Sequence, residues 1–327
     1  MEPNPAKAHR RSSSSSGGQE AQPSLSAAEF RALYERVRRP PTPGGPTCGA
    51  IDLITPAHVA AAAREVRSGR HVSLAAPVET NTGPDNPQPA GHLMTGAVEG
   101  TIGDSGLQFA RDHFDMNVHG DADSHIDALC HVIYEGTLHD GASASSVKAD
   151  GATALSIALA ADGIVGRGVL LDIPRLRGVP WLEPGDQVSA DELAAAEAAQ
   201  HVRVGEGDLL FVRVGHRRRR TELGPWTSAT ARAGLEPGAV EFLAERRVSV
   251  LGSDGNNDAA PSTTEGVDFP IHVLAVHGLG LHLLDYLQFE DLVPMCEAED
   301  RWSFLCVIAP LRLPQATGSP VNPIALL

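Results

Sequence analysis

The stretch His119-Gly-Asp121-Ala-Asp123-Ser-His125-Ile-Asp127-Ala-Leu-Cys-His131 places three histidines and three aspartates within thirteen residues. Five of the 14 histidines fall between His113 and His139, where an even spread would put about one. In an extended chain alternate side chains share a face, so positions 119, 121, 123, 125 and 127 point one way as His, Asp, Asp, His and Asp. The opposite face is Gly120, Ala122, Ser124, Ile126 and Ala128, all small or apolar. Three carboxylates crowded on one face repel one another unless a cation lies between them. Imidazole and carboxylate together suit zinc, manganese or iron, and no thiolate lies near enough to make a Cys-rich structural zinc site. The pattern predicts a divalent metal site on a strand, against the plainer reading of a polar surface strand. Beyond Asp127, Ala128, Leu129 and Cys130 suit the buried first turn of a helix. His131 would then share a face with Asp127, as a further ligand, as a base beside the site, or as a core histidine.

Working outward, the chain has 327 residues, 26 Lys plus Arg against 41 Asp plus Glu, and a net charge of −15. That balance argues against a general nucleic-acid or anionic-membrane binder, which needs clustered positive charge. No apolar run approaches the roughly 18 residues of a membrane span. Met1 to Gln22 lacks the apolar centre of a secretory signal, and the four cysteines are scattered, as in a protein with reduced thiols. The reading is a cytoplasmic protein. Residues 1–24, with Ser12 to Ser16 and almost nothing apolar, should be a disordered tail. Residues 25–69 read as a helical extension. Ser26 and Glu29 have capping-box spacing for a helix to about Arg39, Pro40 to Pro46 form a linker, and Thr55-Pro56 opens a second helix ending at Gly69.

From residue 70 to 327 the chain reads as one α/β domain. Strands are expected at Val169–Ile173, Leu209–Val214, Val248–Leu251 and Phe304–Ala309, and helices at Ala190–Gln200, Ala239–Arg246 and about Ile271–Gly278.

The segment His125-x-Asp127-x-x-x-His131, followed by Val132, resembles the cyclase family of metal-dependent hydrolases, which includes bacterial kynurenine formamidases. That family's motif is His-x-Gly-Thr-His-x-Asp-x-Pro-x-His. The resemblance runs over roughly residues 95 to 325 and includes Gly252-Ser-Asp254-Gly255, Pro270-Ile-His272 and Leu284-Asp285-Tyr-Leu. It implies a swivelling β/β/α domain in a homodimer or larger homo-oligomer, with one or two divalent ions, Zn or Mn. By the same resemblance His125 is a metal ligand, Asp127 a bridging aspartate and His131 the acid and base, while His272 and Asp285 complete a second metal site. Asp121 stands where the motif has its first histidine, with His119 able to replace it by a local shift. Asp123-Ser124 stands for Gly-Thr, and Leu129 for the proline. The implied activity is hydrolysis of a small amide, formamide or cyclic amide by metal-activated water, arylformamidase-like. The alternatives are lactone opening or a cyclase or dehydratase reaction of secondary metabolism on the same site, and a metal-binding protein without catalysis.

Read without the resemblance, His272 is a core histidine of an apolar helix and Asp285 a turn cap. Asp254 is either a functional strand-end residue or a turn former. Arg217 to Arg220 reads as a solvated loop or an ion pair with another subunit, and Gly103-Asp104-Ser105-Gly106 as a chance likeness to a protease nucleophile segment.

Overall fold

The computed structural model describes residues 24–39, 47–96 and 106–327. Most of the expected tail, the Pro-rich linker and residues 103–105 of the protease-like segment lie outside the described residues.

Nine strands form one mixed sheet. In chain order they are β1 (His71–Ser73), β2 (His125–Asp127), β3 (Ile164–Asp172), β4 (Leu209–Arg213), β5 (Val250–Ser253), β6 (His282–Asp285), β7 (Ser303–Ile308), β8 (Gly318–Pro320) and β9 (Ile324–Leu326). Their spatial order is β1-β9-β7-β3-β4-β5-β6-β2-β8. The four central strands β3, β4, β5 and β6 run parallel, and the flanking pairs are antiparallel. Central parallel strands are buried on both faces, which is why they read as continuous apolar runs. Val169, Leu171, Leu210, Val212 and Leu251 pack into one core layer. Leu170, Leu209, Phe211 and Val250 pack into the other.

Helices cover the first layer: α1 (Ala27–Val37), α4 (Ala190–Ala199) and α6 (Ala239–Arg246), after the short α2 (Pro56–Ala62) and α3 (Ile173–Arg177). The capping box read at Ser26/Glu29 is formed, and α4 carries another at Ser189/Glu192. Phe30, Leu33 and Val37 bury the inner face of α1, at i, i+3 and i+7.

Several expectations need correction. The arginine run is not a loop: it lies in α5 (His216–Leu223), and its partners are in the same chain. Arg217 is buried and donates to the carbonyls of Tyr286 and Leu287, while Arg220 pairs with Asp85. The helix expected near 271–278 begins as a single α-turn, α7 (Pro270–His272), and continues as a π-helix over Val273–Leu279. The second helix stops being α-helical at Ala62, followed by a 3₁₀ turn to Glu65.

His282, in β6, is fully buried, and neither ring nitrogen has a hydrogen-bond partner among the described residues. Burial pushes its pKa down to about 4, with His139 adding to the depression and Asp127 opposing it. In the unfolded chain the same imidazole titrates near its ordinary value, so between those two pH values the unfolded state binds the extra proton. Stability is therefore full above about pH 6.5 and is lost as pH falls toward 4. Between about pH 7.5 and 5, wild type should lose roughly 2 kcal/mol more than His282→Leu in urea denaturation. Equal losses would mean that another protein group or water satisfies His282.

Candidate metal centre and cavity

The parallel strands β5 and β6 both end at one edge of the sheet, the place where open α/β sheets carry their sites. Strand β2 lies antiparallel beside β6, with His125 opposite Asp285. His125 and Asp127 are two residues apart, hence on one face of β2, and both are buried.

The period-two reading of the whole stretch does not hold. Only 125–127 is a strand, and residues 119–124 are bent. The bend brings His119 back, so that its Nδ1 lies 2.8 Å from Asp127 Oδ1. That approach needs Gly318 in β8, where a Cβ would stand 2.6 Å from the Ile126 carbonyl and 2.8 Å from His119 Cε1. Asp123 leaves the cluster, its carboxylate accepting from the Glu79 N–H at 2.7 Å. Asp121 also turns away from Asp127 and accepts from the Tyr286 hydroxyl at 2.6 Å. Of the two candidates for the first position, His119 is the one that reaches the centre. Residues 128–131 form a turn and not a helix, yet His131 Nε2 still lies 3.9 Å from Asp127 Oδ2.

Four imidazoles therefore surround one buried carboxylate. Asp127 Oδ1 faces His119 and also His125 Nε2 at 3.7 Å, while Oδ2 faces His131 and also His272 Nε2 at 3.4 Å. Asp285 Oδ2 lies 3.6 Å from the same His272 nitrogen. Two triads, His119–His125–Asp127 and Asp127–His131–His272, have ligand atoms within 4.8 Å of one another. Asp127 belongs to both.

Three of the histidines have their far ring nitrogen anchored. His119 Nε2 meets Thr317 Oγ1 at 2.9 Å, His125 Nδ1 meets the Asp123 carbonyl at 2.8 Å, and His272 Nδ1 meets Asp258 Oδ2 at 2.5 Å. Such outer partners fix ring orientation and tautomer around metal ions. His131 has no such anchor among the described residues; it stacks on His119 with ring centroids 3.8 Å apart.

The electrostatics match a site built for a cation. Burial opposes ionisation of Asp127, but His131, His119 and His272 outweigh it and hold the carboxyl well below its ordinary value. Burial likewise opposes charge on His272, yet Asp127 and Asp258 hold its pKa well above normal. Burial and then Asp127 have opposite effects on His131, whose pKa falls to about 4. Asp285 is raised, first by burial. Asp127 Oδ2 is buried without a hydrogen-bond partner among the described residues, so the donor set fits an ion there.

Residues not singled out in the sequence complete the centre. Asp258 orients His272 and also accepts from the N–H groups of Ile271 and His272, capping α7. Asn256 and Asn257 each donate a side-chain N–H to Asp285 at 2.6 Å. The signal was the run Asn256-Asn257-Asp258 just past the end of β5. Asp254, the residue noticed there, instead accepts from the Val214 N–H, and burial raises its pKa to about 6. Tyr286 takes φ 56°, a left-handed conformation costing roughly 1–2 kcal/mol. Its N–H bonds to the Gly255 carbonyl and its hydroxyl to Asp121. Trp226 stacks against His216 and Arg219, and Trp181 donates to Glu183; neither lines the cavity described next.

The centre opens into a cavity of about 560 Å³ whose lining includes all four histidines, Asp127 and Asp285. Among the described residues no helix is long and apolar enough to cross a membrane.

A mixed α/β sheet carrying a buried histidine–carboxylate centre at its strand ends defines the class of protein. Residues 72–257 match the Cyclase family, described as "Putative cyclase", and the chain belongs to that family. A crystal structure described as a novel cyclase is 29% identical, covering 90% of this chain and 99% of that one, with a TM-score of 0.81. Isatin hydrolase A from Labrenzia aggregata, bound to benzyl benzoate, is 21% identical, with 78% of this chain and 93% of that one covered and a TM-score of 0.56. Isatin hydrolase A from Ralstonia solanacearum is 23% identical, with 87% and 98% covered and a TM-score of 0.53. No curated protein matches the chain.

Proposed function

We propose that the protein is a metal-dependent hydrolase that opens a carbon–nitrogen bond in a small amide, formamide or cyclic amide. The observation that carries this reading is the anchoring of His119, His125 and His272, each with one ring nitrogen held by a neighbour and the other aimed at Asp127. His119, His125 and Asp127 would hold one ion, and Asp127, His272 and Asp285 a second, with Zn or Mn suited to these donors. A divalent ion at this centre supplies Lewis-acid polarisation of a carbonyl and activation of water near neutral pH.

The chain's own groups do the rest. Asp258 fixes His272 with Nε2 toward the centre. His131, neutral at pH 7 and side-on to the cavity, accepts a proton at Nε2 and returns it to the departing nitrogen, a role worth about 10²–10⁴-fold. The names of the isatin hydrolases support cyclic amides as the first class to try.

The test is incubation of the metal-reconstituted protein with isatin, N-formylkynurenine and simple lactones, with and without a chelator. Chelator-sensitive opening of an amide is the expected result. Turnover of lactones alone would move the activity to ester chemistry, and no turnover with metal bound would favour a binding protein.

A further inference from the structure

The wall of the cavity away from the histidines is uneven in a way that bears on substrate charge. Its apolar lining includes Ile133, Val267, Phe269 and Val273. Ile133 is 51% and Phe269 45% exposed, which leaves apolar surface open on the cavity wall. The polar groups of the lining, apart from the centre itself, include Asp121 and Asp268, and no lysine or arginine lines the cavity among the described residues.

Two guanidinium groups behind this wall, those of Arg232 and Arg217, are spent elsewhere. Arg232 lies behind the Phe269 ring, 5.1 Å from its centroid, but is buried and donates to the carbonyls of Asp258, Ser228 and Ala229. Arg217 lies against Tyr286 and donates to two backbone carbonyls. Neither is available to pair with a carboxylate in the cavity.

Asp121 is a built feature of the wall. Tyr286 is fully buried, and its hydroxyl donates to Asp121 Oδ1 at 2.6 Å. This fixes the carboxylate at the cavity edge, and no other hydrogen bond to it is formed among the described residues. A second donor can therefore be taken from whatever occupies the cavity.

We propose that this cavity selects neutral or cationic substrates over anionic ones, seating an apolar body on Ile133, Val267 and Phe269 while Asp121 accepts from an ammonium or N–H group. The proposal rests on the reading of the cavity as the substrate site. Asp121 is thereby a specificity residue, Tyr286 positions it, and Asp268 adds to the repulsion of anions.

The experiment compares three amides of one shape that differ in the para substituent: 4-(aminomethyl)benzamide, 4-methylbenzamide and 4-carboxybenzamide. Affinity is read by calorimetry on the metal-containing full chain, for wild type, Asp121→Asn, Asp268→Asn and the double variant, with metal content measured for each. Wild type should bind the cation and the neutral amide more tightly than the anion. The cation-to-anion affinity ratio should fall about tenfold or more in the double variant at unchanged metal content. Asp268 is exposed, so its variant keeps the test alive if Asp121→Asn folds poorly. An unchanged ratio, an anion bound as tightly as the cation in wild type, or no binding of any of the three at millimolar concentration overturns the proposal. Hydrolysis is scored separately: the expected ranking without turnover keeps the charge selection and removes the hydrolase reading.

Discussion

Asp127→Asn should strip the protein of bound metal and lower activity by about 10³-fold or more. Losing even an outer partner of a metal ligand typically costs 10–100-fold, and Asp127 is shared by both candidate triads. The asparagine keeps the shape of the side chain and removes its charge, so the four surrounding imidazoles lose the carboxylate they share. Removing one partner of a buried ion pair costs about 3–5 kcal/mol. The cost here should be smaller, because His272 can shed its proton and keep its bond to Asp258. The variant should therefore still fold, which circular dichroism will show, while mass spectrometry after dialysis finds no metal. Asp123→Asn is the control. It lies in the same segment, but its carboxylate bonds to the Glu79 N–H and takes no part in either triad, so its metal content should match wild type. Full metal retention in Asp127→Asn would remove the centre as described.

The readability of this site from sequence followed the range of the interactions. His125 and Asp127 could be paired because two residues in a strand always share a face. His131 could be placed near them because it lies only four residues further on, although the intervening backbone is a turn and not the expected helix. His119 could not be ranked above Asp121. Its position depends on a bend stabilised by Thr317 and by the absence of a side chain at Gly318, about 200 residues away in the chain. The capping boxes of α1 and α4 were legible because each closes within four residues. The arginine run was misread for the opposite reason. Its buried acceptors, the carbonyls of Tyr286 and Leu287, are about 70 residues distant, and composition alone makes four arginines look solvated. The run Asn256-Asn257-Asp258 past β5 marked the place of Asp258, but its role was not legible, because the histidine it anchors lies 14 residues later and only the fold brings them together.

His131→Ala should keep its metal and lose about 10²–10⁴-fold in kcat. His131 differs from the other histidines of the centre in what it lacks. Each of the other three histidines has a protein group on its far ring nitrogen, the arrangement expected of a ligand that must hold one tautomer. His131 is steadied by ring contacts, stacking on His119 and meeting His272 edge-on, and its side chain is 29% exposed. An imidazole not locked at its far nitrogen can take up a proton and give it back to the departing group. With its pKa lowered to about 4, chiefly by burial, it is neutral and able to accept at pH 7. Its distance of 3.9 Å from Asp127 Oδ2 nevertheless puts it within reach of the second triad. The variant therefore separates two roles. Unchanged metal with a depressed kcat, partly restored by added imidazole, identifies a proton carrier. Loss of an equivalent of metal would make His131 a ligand beside Asp127 and His272, and the proton carrier would have to be sought elsewhere in the cavity.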